Sequence, residues 1–79
     1  MKLTKAQNKV INALQNGWIL ITDADSPGAT CAKSKEDFEI SNTIFFNILS
    51  KKLIHQQLSY PFDYVLSIKG KEIKTKNVN

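Results

Sequence analysis

SNTIFFNILSKKLIHQQLSYPFDYVLSI, residues 41–68, decides how the rest of the chain is read. Ser41 suits a helix N-cap, because its hydroxyl accepts a backbone N–H two or three residues on. Ile44, Phe45, Ile48 and Leu49 then recur on one side of a 3.6-residue helix. Thr43, Asn47, Ser50 and Lys51 fall on the opposite side, and Phe46 sits at the border. Lys51 and Lys52 suit the last turn, where the helix dipole favours cations. The spacing predicts a helix over 42–52. Residues 53–59 then read as a strand and 60–63 as a turn, in which Pro61 fixes φ and has no N–H to give. Tyr64, Leu66 and Ile68 alternate as a half-buried return strand does. A helix followed directly by a hairpin is the back half of a winged helix.

The preceding residues read as support. Thr4 and Gln7 have the spacing of a capping box, which opens a helix over 5–16. Ala6, Val10, Ala13 and Leu14 form its apolar stripe, widened by Ile11, and Gly17 is placed to stop it. Residues 18–22 are a short apolar strand, 23–28 are turn chemistry, and 29–34 return as a second strand. Lys35, Glu36 and Asp37 read as a polar link, after which Phe38 and Ile40 anchor the chain. Beyond Ile68 only Ile73 and Val78 are apolar, so the end reads as a frayed basic tail with a turn of helix near 71–74. The expected fold class is therefore α+β and winged-helix-like, in the order helix, β-hairpin, helix, β-hairpin. The domain covers 1–70 and the basic tail 71–79. A hairpin stands where a standard winged helix has its middle helix.

Seventy-nine residues make one domain with a small core. No run approaches the roughly 18 to 20 apolar residues of a membrane span, and the first residues lack the apolar core of a signal peptide. A cytoplasmic protein with no membrane partner is expected. The single cysteine, Cys31, cannot be stapled to another and is expected to be a small buried hydrophobe. Net charge is +4. Residues 1–16 carry three lysines and no acid; residues 17–40 carry two lysines against five acids; residues 41–79 carry six lysines against Asp63 and Glu72. The basic ends and acidic middle are expected on different faces. All eleven cations are lysine, so the bidentate Arg–guanine contact is not available.

The whole-chain pattern resembles the small YjhX-type winged-helix family over residues 3–73. It rests on Leu3-Thr4 and Gln7 opening the first helix, a leucine and then Asn16-Gly17 closing it, and an Asp-rich turn at 23–28. Thr43-Ile44, the run Lys51-Lys52-Leu53-Ile54 and Tyr64 are its most specific part. The chain departs from the family in lacking its arginines and in its shorter, Lys-rich tail. The resemblance implies a winged-helix fold and a toxin-like activity against DNA topoisomerase I.

Enzyme chemistry finds little footing. The one His and one Cys are not placed together by any spacing, and the acids at 36, 37 and 39 read as a solvated link. Asp23, Asp25 and Gly28 copy the start of a calcium loop, but Pro27 and Ser34 occupy its fifth and twelfth positions. No catalytic residue, metal or cofactor is expected. Nucleic-acid binding suits the architecture, with Thr43, Asn47, Ser50 and Lys51 facing a groove and Lys52, Lys69 and Lys71 contacting phosphate. Lys74 and Lys76 extend that basic set. The alternative is a small phage or mobile-element protein that inhibits a host protein. Phe46, Tyr60 and Phe62 would then serve as anchors, beside the acidic Asp23 and Asp25. A homodimer is compatible with either reading.

Overall fold

The computed structural model describes residues 3–23, 26–57 and 63–76. The first helix, α1 (Lys5–Gln15), opens on the expected capping box: Gln7 N donates to Thr4 Oγ1 and Thr4 N to Gln7 Oε1, both at 3.2 Å. Val10, Ile11, Ala13 and Leu14 are buried as expected. Ala6 is not; it is exposed, and Gln7 is buried instead. Burying an amide is cheap when its polar atoms are satisfied, and Gln7 Oε1 also accepts from Lys51 Nζ at 2.7 Å. Gly17, at φ +92°, ends the helix in the left-handed region.

Five strands follow among the described residues: β1 (Ile19–Asp23), β2 (Ser26–Lys33), β3 (Glu36–Ile40), β4 (Ile54–Gln56) and β5 (Asp63–Leu66). They form one sheet in the order β3-β2-β1-β5-β4, with every neighbouring pair antiparallel. The two hairpins are joined into one sheet by β1 and β5, through Leu20↔Tyr64 and Ile21↔Asp63. One expectation is corrected here. The stretch read as a polar link and anchor is instead β3, an additional strand. Its sequence, EDFEI, has a strand's period of two, with Phe38 half-buried and Ile40 buried on one side. An edge strand pairs on one side only and tolerates charged side chains, which also discourage further pairing.

The second helix, α2 (Asn42–Ser50), is capped by Ser41, whose Oγ accepts from Ile44 N at 3.3 Å. Phe45 and Ile48 are buried, while Ile44 and Leu49 pack half-buried against the core. The helix stops two residues before the expected end: Lys51 is its C-cap, and Lys52 turns the chain at φ +60°.

The C-terminal region differs most from expectation. The last strand ends at Leu66, because Ser67 becomes the N-cap of a short helix, α3 (Ile68–Glu72), accepting from Gly70 N at 3.0 Å. Ile68, expected inward, is 75% exposed. Residues 70–76 are docked on α1 rather than frayed. Asn8 and Lys76 exchange two hydrogen bonds of 2.9 Å. Asn12 Nδ2 donates to Thr75 Oγ1 at 3.0 Å, and Thr75 Oγ1 donates to Gln15 Oε1 at 2.7 Å. Gln15 Nε2 donates to the carbonyls of Gly70 (3.0 Å) and Ile73 (2.8 Å). Residues 8, 12 and 15 follow the i, i+4, i+7 spacing that lines up one helix face, here a polar one that a basic tail can hydrogen-bond.

The core lies between this helical layer and one face of the sheet. Leu20, Ala29, Cys31, Ile40, Ile54 and Leu66 point into it, together with Leu53 at the turn after α2. Trp18 and Phe38 close the β3 end, their ring centroids 5.6 Å apart, with Lys9 Nζ 4.3 Å above the Phe38 ring. Phe45 meets Tyr64 edge-on at 5.0 Å. No helix among the described residues is long and apolar enough to cross a membrane.

Candidate nucleic-acid interface

The residues expected to face a groove divide into two groups. Thr43, Asn47 and Ser50 are exposed on α2. Lys51 is half-buried, with its ammonium directed to Gln7 on α1. The exposed side of α2, formed by Asn42, Thr43, Phe46, Asn47 and Ser50, therefore carries hydrogen-bonding groups and an aromatic ring but no cation.

Positive charge gathers where α2 ends and α3 begins. Ser67 Oγ donates to the Lys52 carbonyl at 2.6 Å, and Ser67 N donates to the Leu53 carbonyl at 3.0 Å. These bonds bind the start of α3 to the turn after α2. Gly70 makes the contact close: a Cβ there would overlap the Leu53 carbonyl oxygen. Lys52, Lys69 and Lys71 are all exposed at this junction. Lys74 and Lys76 follow along α1, whose own Lys5 and Lys9 are exposed. Among the described residues these seven exposed lysines stand against one exposed acid of the helical layer, Glu72 on α3, so that side is basic on balance. That Lys74 and Lys76 belong to it was not readable from the tail's composition; the signal lay in Asn8, Asn12 and Gln15 on α1.

Of the residues considered as protein anchors, Phe46 is 51% exposed and rests against Phe45 at 5.5 Å between centroids. Asp23 ends β1. Asp25, Tyr60 and Phe62 lie outside the described residues.

The other face of the sheet has the opposite character. Alternation places Ile19, Ile21, Thr30, Ala32, Asp37, Glu39, His55, Asp63 and Val65 away from the core. Among the described residues no helix covers them. Asp37, Glu39 and Asp63 are the formal charges of this group, and no lysine stands with them. Asp37 and Glu39 come from the acidic middle of the chain and Asp63 from its basic end, so the charge of this face is set by strand alternation rather than by chain segment.

Cys31 and His55 fall on opposite faces, so the two residues most suited to nucleophilic chemistry do not meet. Burial pushes the Cys31 thiol up to about 11, against a smaller opposing pull from the Lys9 ammonium. It is a protonated core side chain, with none of the thiolate character that nucleophilic attack needs. Among the described residues no group of His, Cys, Asp and Glu is placed to hold a metal ion. Comparison of the chain with models of known families, with curated proteins and with solved structures finds no match.

Proposed function

We propose that this domain is a non-catalytic, winged-helix-like module that binds nucleic acid. In this reading α2 is the recognition helix and the β4–β5 hairpin its wing. Thr43, Asn47 and Ser50 supply neutral hydrogen-bonding groups to base edges, and Lys52, Lys69 and Lys71 contact phosphates. The observation that carries the reading is the partition of charge: exposed lysines surround the helical layer, while Asp37, Glu39 and Asp63 occupy the far face of the sheet. A polyanion is attracted to one side and repelled from the other, which orients the encounter before contact. Lys51, held by Gln7, acts through the packing of α1 on α2 rather than in a groove.

The test is fluorescence anisotropy of a labelled duplex across a salt series. Binding to B-DNA weakens with a log–log slope of about −0.9 per phosphate contacted. Replacing Lys52, Lys69 and Lys71 together by alanine removes three contacts, so the slope becomes shallower by about 2.7. Absence of binding at low salt, or an unchanged slope in the triple variant, refutes the assignment.

A second reading is favoured by Phe46. A half-exposed ring in the neutral centre of α2 suits a protein partner as well as a base, since aromatic side chains carry much interface energy. The domain would then inhibit a host protein through the same helix, as the YjhX-type resemblance implies for a topoisomerase. Phe46→Ala abolishing capture of topoisomerase I, with duplex binding absent in both proteins, is the outcome that selects this reading.

A further inference from the structure

We propose that the uncovered face of the sheet docks a basic amphipathic helix of a partner protein, independently of whatever the helical side binds. The register defines the surface. His55 stands opposite Val65, Ile19 opposite Ala32, and Ala32 opposite Asp37. The pairing of Leu20 with Tyr64 sets Val65 opposite Ile19, so one row crosses all five strands. A second row runs Asp63, Ile21, Thr30 and Glu39. The apolar part of both rows lies on the three central strands, and Ile19 and Val65 are 52% and 37% exposed there. Carboxylates lie at Asp37 and Glu39 on the β3 edge and at Asp63.

These dimensions and charges select the occupant. Strands lie about 4.8 Å apart, so the apolar centre is about 10 Å wide, close to the diameter of a single α-helix with its side chains, about 10–12 Å. A helix seated on Ile19, Ile21 and Val65 has one flank over Asp37 and Glu39 on β3 and the other over His55 on β4, with Asp63 beneath it beside Ile21. Complementarity therefore requires Lys or Arg beside its apolar stripe. A second copy meeting this face with its own would bring two sets of carboxylates together, which like-charge repulsion opposes. A nucleic acid is repelled for the same reason.

The experiment uses a fluorescent 18-residue amphipathic peptide of leucine and lysine, and its leucine–glutamate counterpart, with the full chain. The expected result is binding of the lysine peptide alone, with NMR amide shifts at Ile19, Ala32 and Val65. D37K/E39K and, separately, Ile19→Ser each weaken that binding at least tenfold. All three positions are exposed, so the circular dichroism of these variants should match that of the unaltered protein, and K69A/K71A should bind the peptide as the unaltered protein does. Equal binding of both peptides, no binding of the lysine peptide, or full binding by D37K/E39K overturns the proposal. None of these outcomes depends on whether the helical side binds DNA.

Discussion

Gly70→Ala sets two effects of opposite sign against each other, and the structure decides between them. Residue 70 lies inside α3, where alanine is favoured over glycine by about 1 kcal/mol on intrinsic propensity. A Cβ at this position, however, overlaps the Leu53 carbonyl oxygen and crowds Leu66 Cδ2. The obstructing atom is backbone, so no rotamer change relieves it, and α3 must move away. Overpacking of this kind costs about 1–3 kcal/mol. The movement also strains two hydrogen bonds, Ser67 Oγ to the Lys52 carbonyl and Gln15 Nε2 to the Gly70 carbonyl, each worth about 0.5–1.5 kcal/mol. The net is a destabilisation of about 1–5 kcal/mol. That is a large share of the roughly 4–12 kcal/mol available to a domain this size. Urea unfolding followed by Trp18 fluorescence measures it, and Tm should fall by about 4–8 °C for each kcal/mol lost. A variant as stable as the unaltered protein, or more stable by about 1 kcal/mol, would mean that α3 is not seated on the Leu53 turn.

Other substitutions test separate parts of the structure. Gln15→Leu removes the donor to Gly70 and Ile73 and the acceptor of Thr75, so it costs about 1–3 kcal/mol. Amides of residues 73–76 should then exchange with solvent faster while those of the sheet are protected as before. Gln7→Ala breaks the capping box and leaves the Lys51 ammonium without its acceptor, for a loss of about 1–3 kcal/mol in urea unfolding. Cys31 gives a pH dependence. Its folded pKa is raised, so its contribution is complete below the unfolded value near 9 and is lost as pH rises towards about 11. At about 1.4 kcal/mol per unit, the folded protein loses at most about 3 kcal/mol across that window. Cys31→Ala should lack that component when its pH profile is subtracted from the unaltered one. Phe46→Ser should change stability by no more than about 0.5 kcal/mol, because its ring is half in water; a larger loss would assign it to the core.

The helices were legible because their signals are local. Thr4 with Gln7 and Ser41 with Ile44 are capping arrangements confined to one turn, and both form. The apolar spacing of each helix falls on the buried side, apart from Ala6. The α+β class and the paired strands were equally readable from alternation. β3 was missed because Glu36, Asp37 and Glu39 make an edge strand look like a solvated link, and only its pairing with β2 distinguishes them. The tail was missed for a related reason. Its docking depends on Asn8, Asn12 and Gln15, and polar side chains on a helix look the same in sequence whether they meet water or another segment. Ser67 misled in the opposite sense, since a small polar residue is ordinary in an alternating strand and equally ordinary as an N-cap. Lys51 was expected to face a groove with Thr43, Asn47 and Ser50, but it is half-buried against Gln7, a partner distant in the chain. The charge of the open sheet face is set by strand alternation, which the charge of chain segments does not show.

The most direct test of a nucleic-acid interface on the helical side is an NMR titration of the labelled protein with a short DNA duplex at low salt. Amide signals of Thr43, Asn47, Ser50, Lys52, Lys69 and Lys71 should shift progressively and return on addition of salt, while those of Ile19, Ala32 and Val65 stay in place. Shifts confined to the open sheet face, or none at saturating duplex, would contradict it.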